Sequence, residues 1–174
     1  NVGVAITAGK LGIGFTDNNV KIGSTALDAL TTGTNNTAVG SASLTATTTG
    51  ARNVAVGYES LLNLTTGDDN TALGTGALNA CTTASDNVAV GRNALVSNTT
   101  GNNHAVVGAT AGDANTTGVN LTAIGFNAAG ANTTGDNNTA VGKDALASST
   151  TATNLVAIGA VSYTHLTLPT TTPV

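Results

Sequence analysis

A strict 17-residue repeat constrains this chain more than any other feature. A glycine preceded by an aliphatic residue recurs at that interval without any insertion or deletion. Helical repeats of two helices and two turns need about 30 residues. A unit of 17 residues instead suits one coil of two short strands of about five residues, at about 3.3 Å per residue, and two tight turns. The repeat therefore predicts an all-β parallel β-solenoid of about nine coils, with neighbouring strands about 4.8 Å apart. The glycines are Gly23, Gly40, Gly57, Gly74, Gly91, Gly108, Gly125, Gly142 and Gly159.

The other columns of the repeat suggest structural roles. We expect the aliphatic residue before the glycine to form one core stripe, and a leucine four residues after the glycine to form a second. Two adjoining units lack this leucine, at Gly112 and Ala129, and are expected to be the loosest. A Thr-Thr pair, usually followed by glycine, indicates the return turn. The aliphatic column comprises Ile22, Val39, Val56, Leu73, Val90, Val107, Ile124, Val141 and Ile158.

Asparagine recurs at the first position of the unit, where stacked amides can form a hydrogen-bonded ladder. The ladder is interrupted at His104, Leu121 and Leu155, and the asparagine preceding each is expected to substitute in part. We expect His104 to replace a ladder asparagine rather than to act as a base. The column glycines are expected where a Cβ would clash or where φ is positive. The ladder asparagines are Asn19, Asn36, Asn53, Asn70, Asn87 and Asn138.

Composition weighs against several classes of partner. The net charge is −4 and the five basic residues are scattered, which argues against nucleic-acid binding. No apolar run approaches the roughly 20 residues that span a bilayer. A single cysteine, Cys81, excludes an intrachain disulfide framework and is interpreted as a free thiol near a loop edge. With four aromatic residues and no Trp or Met, any core must be thin and built from Ala, Val and Leu.

No motif of the sequence predicts an enzyme. Neither G-x-x-x-x-G-K-[ST] nor G-x-G-x-x-G occurs, so the glycine at position 91 is not expected to cradle a phosphate. No group of three oriented partners suggests a catalytic triad. Asp68, Asp69, Asp86 and Asp136 fall near one turn and predict a solvated acidic turn, with a weak cation site between Asp69 and Asp86 as the alternative. We therefore predict no catalytic residue, no cofactor and no metal.

The units "NTAVG", "NVAVG" and "LTAIG", followed by a small-Leu pair and "NTTG", resemble the head repeats of trimeric autotransporter adhesins. The same repeats occur in phage tail fibres, which the longer 17-residue unit slightly favours. The resemblance covers residues 19–160 and implies a left-handed parallel β-roll of three chains. It also implies an extracellular fibre, on a bacterial surface or a virion tail, that binds a host receptor, matrix protein or glycan. By that resemblance, core or trimer positions are Val39, Val56, Leu73, Val90, Val107, Ile124 and Val141.

The threonine pairs support an alternative function. They recur once per unit, as in Thr99-Thr100, and stacked threonines on β-solenoids resemble the ice-binding surface of antifreeze proteins. Those proteins usually show T-x-T, which places both side chains on one strand face. Adjacent threonines before a turn glycine are more typical of polar turn residues.

The sequence divides into three segments. Residues 1–18 are predicted to be a degenerate first coil or the end of a preceding element, and residues 19–160 the β-roll domain. The segment "VSYTHLTLPTTTPV" breaks the period and resembles a translated transposon end and adapter from sequencing-library preparation. Residues 161–174 are therefore predicted to be a non-native tail. Because residue 1 falls mid-pattern and is not Met, we expect the chain to be part of a longer protein.

Overall fold

The structure, a computed structural model, describes residues 18–161, and those residues form a parallel β-solenoid of about eight turns. The strands lie in chain order in one sheet, and each residue pairs with the residue 17 positions further along, as Ala89 does with Val106. The predicted all-β parallel solenoid is confirmed. The predictions for 1–17 and 162–174 lie outside the described residues. The strands are β1 Val20–Ile22, β2 Thr37–Val39, β3 Val54–Val56, β4 Thr71–Leu73, β5 Val88–Val90, β6 Ala105–Val107, β7 Thr122–Ile124, β8 Thr139–Val141 and β9 Val156–Ile158.

Each coil has one three-residue strand instead of the two five-residue strands expected from its length. Residues with positive φ interrupt extended backbone on the far side of the coil, such as Ala42 at 58° and Leu44 at 51°. These residues still bond neighbouring coils, since the Ala42 N–H donates to Ser24 O at 3.0 Å and the Leu44 N–H to Ser60 O at 3.1 Å. The backbone therefore links the coils on both sides of the solenoid.

The core lies between the middle residues of the strands and the leucine column. In β2 the middle residue Ala38 is fully buried, and the facing Leu44 is also fully buried. Alternation along a strand turns the first and third residues outward. The prediction that the aliphatic column forms a core stripe is therefore wrong for the single chain. Half-buried or exposed on the outside are Ile22, Val39, Val56, Leu73, Val90, Val107, Ile124, Val141 and Ile158.

The column glycines allow successive coils to approach closely. Gly91 has a φ of 138°, and a Cβ built on it would lie 2.4 Å from the carbonyl oxygen of Gly108 in the next coil. Across the column φ ranges from 116° to 146°, which L side chains rarely adopt. Gly91 therefore serves chain turning and coil stacking.

A compensating exchange fills the core where one leucine is missing. Leu121 occupies a ladder position, yet its side chain is fully buried. A Cβ on Gly112 would lie 3.0 Å from Cδ2 of Leu121 and 3.1 Å from Cδ2 of Leu95. Leu121 thus takes up space that a leucine at position 112 would need. The looseness expected of this coil stays a prediction, and the filling of the space by Leu121 argues against it.

Candidate functional site

The candidate site is the outer sheet face, which we define as the first and third residues of β1–β9. Every one of its side chains is Val, Ile, Leu, Thr or Ala, and none is charged. The third residues are the aliphatic column described above. The first residues are Val20, Thr37, Val54, Thr71, Val88, Ala105, Thr122, Thr139 and Val156.

The outer sheet face is uncharged, mostly aliphatic and open in the single chain. Val107 is 43% exposed and Ile124 is 44% exposed on neighbouring strands in the interior of the sheet. In α/β proteins, parallel sheets have both faces covered. A continuous exposed apolar patch larger than a few hundred Å² is also uncommon on a soluble monomer. These properties are typical of a surface that another chain covers.

Charged and aromatic side chains border this face instead of lying on it. In four of the coils, the residue after the column glycine is charged or aromatic, and it is exposed. These residues are Tyr58, Arg92, Phe126 and Lys143. The Lys143 ammonium lies 5.9 Å from the centroid of the Phe126 ring, within reach of a cation–π contact. A hydrogen bond to Glu59 raises the pKa of Tyr58. The border is therefore suited to solvent or to a rim contact.

The asparagine ladder holds the face in register. The Oδ1 atom of Asn53 accepts the backbone N–H of Asn70 at 2.9 Å, and its Nδ2 atom donates to Gly67 O at 2.9 Å. Both asparagines are fully buried. The same acceptor bond joins Asn36 to Asn53 and Asn70 to Asn87. Each amide thus satisfies two buried backbone groups of the neighbouring turns.

His104 takes the place of a ladder asparagine, as its position in the repeat predicts. Its Nδ1 atom accepts the backbone N–H of Leu121 at 3.0 Å, and its own backbone N–H donates to Oδ1 of Asn87 at 3.1 Å. Burial lowers the pKa of His104 to about 4, against weaker opposing effects of a bond to the Gly118 backbone and the charge of Asp136. The ring has no arrangement of partners for general-base catalysis.

The asparagines that precede the interruptions do not substitute for the ladder. Asn103, Asn120 and Asn154 are exposed and have φ values of 61°, 56° and 59°. This conformation carries their side chains to the surface, where Nδ2 of Asn120 donates to Oδ1 of Asn137 at 2.8 Å. Asn120 and Asn154 belong to a second, external ladder through Asn137, which the sequence reasoning did not recognise.

The threonine pairs divide between two environments. In the seven pairs from Thr31 to Thr133 the first threonine bonds the next coil, as Thr99 Oγ1 donates to Thr116 O at 3.0 Å. The second threonine is exposed, as at Thr100 and Thr117. The pairs therefore present one exposed column of threonines, not the two ranks that a T-x-T strand would present.

The acidic turn is organised around an arginine. Arg52 donates from Nε to Oδ1 of Asp69 at 2.6 Å and from Nη2 to Oδ2 of Asp68 at 3.3 Å. The hydrogen bond from Arg52 holds the pKa of Asp69 below its ordinary value. Among residues 18–161 no group of three or more His, Cys, Asp or Glu side chains could hold a metal ion. Because Asp69 is already paired with Arg52, this ion pair argues against the alternative cation site between Asp69 and Asp86.

Cys81 lies inside the core and not at a loop edge. It is fully buried and free, and its Sγ atom lies 4.0 Å from the carbonyl oxygen of Ala84. Burial raises the pKa of its thiol to about 11. The thiol is therefore protonated at neutral pH and poorly reactive.

These features define a parallel β-solenoid with one uncovered, uncharged sheet face. Comparisons with protein-family models, curated proteins and solved structures found no match. Within the part of the chain that the structure describes, no helix is long and apolar enough to cross a membrane. The function is therefore argued from the surfaces of the chain itself.

Proposed function

We propose that this chain is a non-enzymatic segment of a trimeric adhesive fibre. The observation that carries the proposal is the outer sheet face, which is uncharged over all nine strands and has an aliphatic third residue on each. Covering it with copies of the same chain would bury the second face of the parallel sheet. The resemblance of the repeat to adhesin heads and phage tail fibres supports three copies and a left-handed winding.

The chemistry of the aliphatic column suits a threefold axis. In a symmetric trimer of parallel chains, equivalent residues of the copies meet at one height along the axis. Like charges meeting there would repel one another. The column holds only Val, Ile and Leu, whereas Arg92 and Lys143 lie one residue beyond the column glycine. We therefore place this column nearest to the axis.

The proposed role is attachment outside the cell. A stack of coils gives a stiff rod, because each coil is stabilised by its neighbours. Three copies would present each turn surface three times, and multivalency strengthens weak binding through effective concentration. We propose a bacterial surface or a phage tail as the location, and a host receptor, a matrix protein or a glycan as the partner.

Cysteine cross-linking tests the proposed interface. Val56→Cys places a thiol on the outer sheet face, and Thr66→Cys places one on an exposed turn of the same coil. A disulfide requires Cα atoms within about 7 Å. We expect oxidation to give covalent dimers of the Val56→Cys protein only, with the buried Cys81 unreactive. Equal cross-linking of the two variants, or none at position 56, would contradict the interface.

A binding assay tests adhesion itself. The whole chain and a Val90→Asp variant are applied to panels of immobilised glycans and matrix proteins. The aspartate puts a charge on the proposed axis, so we expect a folded protein that no longer assembles. Retention on any responsive surface should then fall by about 100-fold or more as avidity is lost. Equal retention of the two proteins, or no retention by the wild type, would count against the proposal.

Ice binding is the second candidate, and the exposed threonine column favours it. The column runs along the whole stack and is formed by Thr32, Thr49, Thr66, Thr83, Thr100, Thr117, Thr134 and Thr151. The first threonine of the seven pairs from Thr31 to Thr133, however, uses its hydroxyl within the protein, as Thr116 does with Thr133 O at 3.0 Å. A thermal-hysteresis assay decides, because zero hysteresis at high concentration removes this candidate.

A further inference from the structure

We call the contact between two successive coils at a ladder position a joint. One joint of the ladder contains a titratable group. Among the described ladder positions, six hold asparagine, two hold leucine and one holds His104. An amide oxygen keeps its accepting role across the ordinary pH range, whereas an imidazole loses an acceptor when it is protonated. The coil that begins at His104 is therefore bonded to the next coil through a group that protons can switch.

The hydrogen bonds fix which nitrogen carries the proton. Nδ1 accepts the backbone N–H of Leu121 at 3.0 Å, so Nδ1 must be unprotonated. The neutral ring then carries its hydrogen on Nε2, where it can bond the Gly118 backbone that interacts with the ring. The amide of Asn87 works in the same way, because its Nδ2 atom donates to Gly101 O at 3.1 Å. The imidazole reproduces one acceptor and one donor of the amide.

Protonation would break this arrangement. A proton on Nδ1 would face the Leu121 N–H across 3.0 Å, so two donors would oppose each other. The charge would also lie at a residue that is only 2% exposed. The polar side chains that contact the residue are the uncharged amides of Asn87 and Asn115. The charged group whose field reaches the ring is Asp136, and its favourable effect is smaller than the cost of burial.

The neighbourhood offers little compensation. The Nδ2 atom of Asn115 lies 3.4 Å from Nε2 of His104, and Oδ1 of Asn115 is buried without a hydrogen-bond partner. Coils of a solenoid contact only their neighbours, so a weakened joint opens locally.

We propose that His104 makes the joint between the coils of residues 104–120 and 121–137 an acid-sensitive opening point of the rod. Above neutral pH the joint is as firm as its asparagine counterparts. In mild acid it opens at this place while the asparagine joints hold. The inference concerns the single chain and does not depend on the proposed trimer.

The direction of the effect follows from linkage. The folded-state pKa of His104, about 4, is below the ordinary value of 6.5, so folding favours the neutral ring. This contribution is fully present above pH 6.5 and is lost as pH falls toward about 4. From pH 6.5 to pH 4 the opening equilibrium of the joint should rise by about 80-fold, and it approaches about 300-fold, the ratio of the two proton affinities, only below pH 4.

Amide hydrogen exchange of the whole chain measures the opening. The Leu121 amide reports on the His104 joint, and the Asn70 amide, held by Oδ1 of Asn53 at 2.9 Å, is an internal reference. After correction for intrinsic exchange rates, we expect the Leu121 protection factor to fall by roughly 50- to 100-fold between pH 7 and pH 4.5. The Asn70 protection factor should change little.

His104→Asn is the matched control, because it restores the residue found at the other ladder joints. We expect this variant to fold and its Leu121 amide to lose the additional pH dependence. Nitrogen-15 spectra of the imidazole, assigned by comparison with the variant, should show the Nε2–H form with a midpoint far below 6.5. A midpoint near 6.5, equal behaviour of the Leu121 and Asn70 amides, or pH dependence that persists in the variant would overturn the proposal.

Discussion

Removing one ladder amide should weaken one joint by an amount that the structure sets. In Asn70→Ala the backbone N–H of Asn87 loses its acceptor at 3.2 Å, and the carbonyl of Ala84 loses its donor at 2.9 Å. Asn70 and Asn87 are fully buried and Ala84 is 1% exposed, so water does not readily replace these bonds. A buried group left without a partner costs about 1–3 kcal/mol. Two such groups give an expected loss of about 2–6 kcal/mol in the opening free energy of the joint.

Asn63→Ala provides a matched control in the preceding coil. Asn63 also donates to a backbone carbonyl, that of Asn79 at 2.9 Å, but it is exposed and water can replace it. The assay is hydrogen exchange of the Asn87 amide, because a solenoid need not unfold in one cooperative step. We expect the Asn70→Ala loss to exceed the Asn63→Ala loss by about 2 kcal/mol or more. A difference below about 0.5 kcal/mol would refute the assignment of ladder amides to coil stacking.

Four further substitutions, in three tests, probe stacking, core filling and surface charge. Gly91→Ala should cost about 2–5 kcal/mol in local stability by exchange, because its Cβ would lie 2.4 Å from Gly108 O; a neutral result would contradict the close approach. Gly112→Leu and Leu121→Asn should each destabilise their coil but partly rescue one another in hydrogen exchange, with about 1–3 kcal/mol of coupling; additive losses would contradict the shared space. Arg52→Gln should leave local stability nearly unchanged in hydrogen exchange, because its ion pairs are exposed; a clear loss of protection would show that the turn is structural.

The sequence predicts the solenoid because the period is strict. A fixed interval of 17 residues requires each unit to follow one path, and glycine at position 91 and leucine at position 95 mark that path. Asn53 and Asn70 were predictable as a ladder because buried amides need partners and identical residues stack in register. His104 was predictable for the same reason, since it occupies the ladder column.

Which strand residues face the core was not predictable from the pattern alone. Ala55 and Val56 both fit an apolar strand, and hydrophobicity favoured the larger residue for the core. The structure buries Ala55 and leaves Val56 exposed, because the two residues face opposite sides of the sheet. The small alanine lets the sheet approach the leucines. The thin core predicted from the composition was the sequence signal that could have indicated the buried alanine. A chain considered alone places the valine outside, where only an assembly would bury it.

The prediction of two strands per coil was wrong for a different reason. Leu44 has a φ of 51°, although leucine rarely adopts positive values. Its burial and its backbone bond to Ser60 O at 3.1 Å offset this local preference. The paired loss at Gly112 and gain at Leu121 was visible in the columns, but only the packing shows that one fills the space of the other.

Sedimentation equilibrium of the whole chain tests the central claim most directly. If the outer sheet face is covered by copies of this chain around a threefold axis, the mass at neutral pH should be three times the 16.7 kDa of one chain. A folded species with the mass of a single chain, stable across the accessible concentration range, would contradict the trimeric fibre.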